Sequence, residues 1–126
     1  MKVLNIIETA YRATLEEQDD TIVWLSHALK GAGADLDVLL QGNAVNYGLI
    51  DQDASGLKIG DSSQTQPPDI AGDIQSLLEK GCRVLVVSED LEAMGINRSG
   101  LIEGLACVSR GEIAVCFNQY DQVWHW

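Results

Sequence analysis

The chain has 126 residues, 46% of them hydrophobic, and its 19 acidic residues outnumber 8 basic ones for a formal charge of −11. That length makes one domain with a genuine core. The charge argues against nucleic acid, whose phosphates would be repelled, and favours solubility and a basic partner protein. No apolar run approaches a membrane span, and no basic-then-apolar leader precedes the first polar residues. The three cysteines, Cys82, Cys107 and Cys116, form no CxxC or zinc-like spacing, so reduced thiols in the cytoplasm are the expectation.

Residues 3–7 are a short apolar run with Asn5 inside it, consistent with a buried strand. The acidic cluster Glu16-Glu17-Gln18-Asp19-Asp20 suits the positive end of a helix. That helix is predicted to run to Lys30, with Ile22, Leu25 and Leu29 inward and Gly31 or Gly33 as its stop. Trp24 and His27 fall away from this stripe. An outward tryptophan suggests a subunit contact or cover by a neighbouring loop, and His27 reads as a surface or interface residue. Residues 36–41 form the second strand, with Leu36, Val38 and Leu40 on one face and Asp37, Leu39 and Gln41 on the other. From 46 to 68 the pattern dissolves into Gly, Pro, Asp, Ser and Gln. This reads as a long loop insertion in a single domain spanning 1–126, with a short helix near 45–50.

Asp69 restarts a helix carrying Ile70, Ile74, Leu77 and Leu78 on one stripe, stopped by Gly81. Residues 83–87 are the most apolar strand and are predicted to be central. A helical turn follows over 89–94, and Asn97 or Ser99 is placed to cap a short helix through Leu101, Ile102 and Leu105. Residues 106–108 are a candidate short strand, 111–120 a helix with Ile113, Cys116, Phe117 and Tyr120 on one stripe, and 122–126 a closing strand. Alternating strands and helices predict a three-layer α/β/α sandwich around a mostly parallel sheet of about five strands.

The run Leu78-Glu79-Lys80-Gly81-Cys82-Arg83-Val84-Leu85-Val86-Val87-Ser88-Glu89-Asp90-Leu91-Glu92-Ala93-Met94-Gly95-Ile96 carries a family likeness. With Asn97-Arg98-Ser99-Gly100-Leu101-Ile102-Glu103-Gly104 and Tyr120-Asp121-Gln122-Val123-Trp124, it resembles the DsrE/DsrF/DsrH-like superfamily of small sulfur-relay proteins. The likeness follows the order of elements over nearly the whole chain. It implies a DsrE-like α/β sandwich that assembles as trimers, hexamers or heteromers of paralogous DsrE-like chains. It also implies a persulfide carried on a cysteine near the end of the third strand and exchanged with TusA-like or rhodanese-type partners. Aligned on Gly81 and Glu89, that cysteine position is Val87, which cannot carry sulfur. The Ser88-Glu89-Asp90 turn is similar to cysteine-poor branches of the superfamily, and its carboxylates would raise a nearby thiol's pKa.

Two cysteines remain as candidates for relocated sulfur chemistry, Cys107 between two helices and Cys82 at the opposite end of the third strand. Both also fit as small packed hydrophobes, as does Cys116 in its helical stripe. His27 and His125 have no ligands at metal spacing, and no cofactor is expected. Gly31-Ala32-Gly33 follows a helix instead of a strand, and 56–62 lacks the Gly-Lys-Ser/Thr ending of a phosphate loop. What remains is a polar rim after the strands: Glu8, Thr9 and Tyr11, then Asn43, then Ser88 and Glu89. A parallel sheet would gather these tips as a binding site for a small ligand or a partner's peptide, or use them as helix caps. Trp24, Trp124 and Trp126 are candidate oligomer contacts, the last two docking on the parent domain or on a neighbouring subunit. Three functions follow: a non-catalytic subunit or binding partner in a sulfur-relay system, a sulfurtransferase using Cys107 or Cys82, or a small-ligand module unrelated to sulfur.

Overall fold

Strand alternation divides the core into two unequal clusters, one on each side of a single parallel sheet. The computed structural model describes residues 1–11 and 20–126. Among these, the strands are β1 (Lys2–Ile7), β2 (Asp35–Leu40), a hairpin of β3 (Lys58–Ile59) and β4 (Ser62–Ser63), β5 (Val84–Val87), β6 (Ala106–Val108) and β7 (Gln122–His125). The main sheet has the order β6-β5-β2-β1-β7, with every neighbouring pair parallel. Helices α1 (Thr21–Gly31) and α2 (Ile70–Glu79) cover one face, where Val3, Ile7, Leu36, Val38, Leu40, Val84 and Val86 meet Ile22, Val23, Ile74 and Leu77. On the other face Leu4, Ile6, Leu39, Leu85 and Val87 meet Ile113, Cys116 and Phe117 of α4 (Arg110–Phe117), with α3 (Ser88–Ala93) following β5 directly. This is the expected three-layer sandwich. No helix among the described residues is long and apolar enough to cross a membrane.

β5 is an interior strand, but the middle of the sheet is β2. β7 lands beyond β1, on the side away from β6, and so shifts the centre by one strand. Full burial of four successive valines and leucines in β5 needs neighbours and cover on both faces, not the central place.

The expected inward stripe of α1 also shifts. Ile22, Val23 and Ser26 are buried, while Leu25 and Leu29 are half-buried. A buried polar pair sets this roll: the Asn5 amide donates to Ser26 Oγ at 2.9 Å, and that hydroxyl donates to the Ile22 carbonyl at 2.8 Å. The indole N–H of Trp126 donates to Asn5 Oδ1, so the buried amide is satisfied on both sides. His27 is not a free surface group. Its Nε2 faces the Asp73 carbonyl at 2.8 Å and its Nδ1 faces the Lys80 ammonium at 2.9 Å. A carbonyl only accepts and an ammonium only donates, so these partners assign the neutral Nε2–H tautomer and make His27 a clasp between α1 and α2.

The stretch after β2 coils into a 3-10 turn, Gly42–Gly48, slightly earlier than the short helix expected there, and buries Ala44, Val45 and Tyr47. The helix expected through Leu101, Ile102 and Leu105 does not form. Only a 3-10 turn, Arg98–Gly100, is present, its first turn capped by Asn97. The Ile102 N–H donates to the Gly48 carbonyl at 2.8 Å, and Ile50 N–H to Gly100, so this backbone bonds across to the insertion instead of along itself. Of the acidic cluster before α1, Glu16, Glu17, Gln18 and Asp19 lie outside the described residues. Asp20 is the N-cap.

Asp20 is 0% exposed. Its Oδ1 accepts from the N–H groups of Ile22 and Val23 at 2.9 and 3.0 Å, and its Oδ2 accepts from the Tyr47 hydroxyl at 2.7 Å. One carboxylate therefore starts α1 and pins the 3-10 turn. Asp20→Ala removes the cap and leaves the buried Tyr47 hydroxyl proton without its acceptor, for an expected loss of about 2–4 kcal/mol in urea unfolding at neutral pH. A loss under about 0.5 kcal/mol would show that α1 and Tyr47 are held by packing alone.

Candidate functional site

The carboxyl ends of β1, β2 and β5 open onto a cavity of about 260 Å³ lined by Glu8, Gln41, Gly42, Val87, Asp90, Arg110 and Ile113. Strand parity explains the first members. Glu8 continues the Leu4 and Ile6 face of β1, Gln41 the Leu39 face of β2, and Val87 the Leu85 face of β5, so all three stand on the α4 side.

Carboxylates fill the cavity's electropositive points. Asp90 Oδ2 accepts from the Gly42 N–H at 2.8 Å, and Asp90 Oδ1 pairs with the Arg110 guanidinium. Glu89 accepts from the Arg110 N–H at the first turn of α4, and Glu112 accepts from the Ser109 N–H at 2.9 Å. The α4 N-terminus thus already holds two carboxylates. Across the cavity Glu8 Oε2 lies 2.6 Å from His125 Nε2, and Gln41 reaches the same imidazole. Gly42 sits at φ +56, where a Cβ would stand 3.1 Å from Glu8 Cγ, so a side chain there would be strained and would press on Glu8.

The expected polar rim converges only in part. Glu8 lines the cavity and Glu89 borders it through Arg110. The Thr9 N–H instead donates to the Trp126 carbonyl. Asn43 is exposed, its carbonyl accepting from Asn46. Ser88 Oγ accepts from Arg98 at 3.0 Å. Tyr11 turns the other way: at φ +59 its N–H donates to the Tyr47 hydroxyl, and its ring meets Tyr47 edge-on at 5.3 Å. Asp90, Arg110, Gln41 and His125 were missed as site residues. For Gln41 and His125 the period-two alternation was the available signal. Nothing in the sequence paired Asp90 with an arginine twenty positions on.

None of the three cysteines lines the cavity. Cys107 stands opposite Val86 on β6 and packs into the α1–α2 cluster, on the face away from Val87. Cys116 packs under α4. Cys82 is 3% exposed at the far end of the sheet, its thiol near the Arg83 carbonyl. Burial, helped by the Asp37 charge, pushes that thiol from 9.0 to about 12. Trp24 is 59% exposed, while Trp124 packs against the core from β7. Trp124 and Trp126 line a separate groove of about 470 Å³ with Leu25, Leu29 and His125.

No family model and no curated protein matches the chain. Among solved structures it is similar to the ychN protein from E. coli, at 22% identity and a TM-score of 0.72, each chain covered over 100% of its length. It is also similar to MTH1491, a protein of unknown function from Methanobacterium thermoautotrophicum, at 18% identity and a TM-score of 0.63, covering 98% of this chain and 97% of that one. The fold is the DsrE-like α/β sandwich. At these identities the likeness carries the fold alone.

The raised thiol sets an alkaline weakness. A group whose folded pKa lies above its unfolded one stabilises fully below the unfolded value and loses that contribution as pH rises. For Cys82 the window runs from 9.0 to about 12. Tyr47 and Tyr120, raised by burial and by bonds to Asp20 and Asp37, act in the same direction. The urea midpoint is therefore expected to fall between pH 9 and 11, and to fall less steeply in Cys82→Ala. Equal slopes in the two proteins would exclude Cys82 as a contributor.

Proposed function

We propose that this chain is a non-catalytic, cytoplasmic member of a DsrE-like sulfur-relay assembly, a subunit or binding partner in place of a carrier. One observation carries the reading: the position where the superfamily resemblance expects the carrier cysteine is Val87, which lines the strand-end cavity, and carboxylates pair Arg110 and the α4 N-terminus beside it. A carrier needs a thiolate favoured by nearby positive charge. Here the Arg110 guanidinium is paired with Asp90, and the α4 N-terminus is taken by Glu89 and Glu112. Val87 is itself 1% exposed. A sulfurtransferase using Cys107 or Cys82 would need those thiols to be reached away from this cavity, one packed behind the sheet and the other buried.

The groove beside β7 supports a subunit role. In a chain of charge −11 its described lining of Leu25, Leu29, Trp124, His125 and Trp126 includes no aspartate or glutamate, with the Glu8 carboxylate held on His125, and β7 is an outer strand of the sheet. Copies of this chain, or paralogous DsrE-like chains, are the occupants proposed for it, with Trp24 on the same helix as Leu25 extending the contact.

The deciding measurement exposes reduced, native protein to inorganic polysulfide and reads intact mass with cysteine mapping. No added sulfur on Cys82, Cys107 or Cys116 is expected while a small thiol control reacts, and an adduct on Cys107 at the control's rate would overturn the reading. Val87→Cys alone is expected to alkylate slowly. Adding Glu89→Gln and Asp90→Asn should speed it by about tenfold, because both changes release positive charge toward the thiolate; equal rates would refute the neutralisation argument. For assembly, Trp24→Ser is expected to elute at a smaller size than the parent chain, and an unchanged elution removes Trp24 from the interface.

A further inference from the structure

A groove larger than the strand-end cavity lies away from it, between the insertion and the start of α2. It encloses about 490 Å³. Leu49, Leu57, Pro67, Ile70 and the Tyr11 ring supply an apolar lining. Leu57 is 62% exposed, and the neighbouring Ile50 and Ile59 are exposed as well, so the patch continues onto the hairpin. Among the described residues, the charges of the lining are Asp51, Asp53 and Asp69, with no lysine, arginine or histidine. Lys58, on the adjoining hairpin, lies outside the lining.

These carboxylates have separate tasks. Asp69 caps α2, its Oδ1 accepting from the Gly72 N–H at 3.0 Å. Asp53 accepts from the N–H of Ser55 at 2.9 Å, and bonds from Ser55 hold its pKa below the ordinary carboxylate value. Asp51 is exposed. Two of the three, Asp51 and Asp53, therefore anchor no helix and present charge beside an apolar floor.

We propose that this groove docks an extended segment of a partner protein in which lysine or arginine alternates with apolar residues. Alternation suits it because successive side chains of an extended segment point to opposite sides. Apolar side chains then enter against Leu49, Leu57 and Ile70 while basic ones reach Asp51 and Asp53. The charge pairing selects against acidic segments and speeds encounter, and the apolar floor supplies retention. A second copy of this chain fits poorly, since it brings the same charge of −11. The proposal is independent of the sulfur reading, because no cysteine lines the groove.

The test uses a fluorescein-labelled nine-residue peptide of alternating arginine and leucine, followed by anisotropy on the full chain at about physiological ionic strength. Asp51→Asn/Asp53→Asn should weaken binding about tenfold, and Leu57→Ser should weaken it about fivefold. Asp35→Asn/Glu79→Gln removes equal charge at the start of β2 and the end of α2, and should change affinity less than about twofold. Circular dichroism of each variant confirms that it is folded. Equal losses in the two double variants would reduce the effect to net charge and overturn the site. Binding of an arginine–glycine peptide or of spermine as tightly as the arginine–leucine peptide would also overturn it, by removing the apolar component.

Discussion

The Asp90 carboxylate ties together the three elements that shape the upper end of this sheet. It stands on α3, immediately after β5, accepts from the Gly42 backbone where β2 ends, and pairs with Arg110 where α4 begins. The geometry of the cavity depends on this bridge. Gly42 can turn at positive φ beneath Glu8 only because it has no side chain, and the turn aims its N–H at Asp90. The Arg110 guanidinium is more than half exposed, so the ion pair alone contributes little to stability. Its structural value lies in orientation, since one carboxylate meets a backbone donor and a guanidinium together.

A second polar anchor works at the opposite end of the sheet. Asp37 is buried on the α4 face of β2, where it accepts from the Arg83 N–H at 2.9 Å and the Tyr120 hydroxyl at 2.7 Å. Lys2 approaches the same carboxylate at 3.6 Å. A charge in such a place is tolerated because each oxygen has a donor. Together the two aspartates fasten α4 and its following turn across the sheet, over the smaller of the two core clusters. Packing there is thinner than on the α1–α2 side, and hydrogen bonds take up more of the positioning.

What was legible in the sequence were the features carried by local pattern. Period-two alternation in 36–41 placed Leu36, Val38 and Leu40 on one face, and the i, i+4, i+7 spacing of Ile70, Ile74 and Leu77 placed the buried stripe of α2. The roll of α1 was not legible, because Asn5 selects Ser26 from a distance of twenty-one residues, against the hydrophobic pattern of Leu25 and Leu29. His27 failed for the same reason, its partners coming from α2. In the site, Glu8 and Glu89 were readable as strand-end polar residues. Arg110 was hidden at the start of a helix whose register against α3 is a tertiary fact. The rim was over-read because neighbours in sequence diverge in space: Glu8 faces α4, while Tyr11 turns toward Tyr47.

Val87 stands beside groups that would do little to favour a thiolate at its position. Positive potential stabilises a thiolate only where it is unpaired. Glu89 at the α4 N-terminus and Asp90 on Arg110 occupy two of the nearby sources, and they come from the turn directly after the valine, while Arg98 reaches Ser88. Those same carboxylates hold α3 to α4 and β2, so the groups that would weaken a thiolate also stiffen the scaffold. Glu89 and Asp90 therefore have a framework role in holding α3 to α4 and β2. Two surfaces elsewhere differ in character: a tryptophan-lined groove beside the outer strand β7 and an acidic, apolar-floored groove at the insertion. They differ most in charge, and in a chain of charge −11 electrostatics would favour a like-charged chain at the first, where carboxylates are fewer, and a basic chain at the second, where they are concentrated.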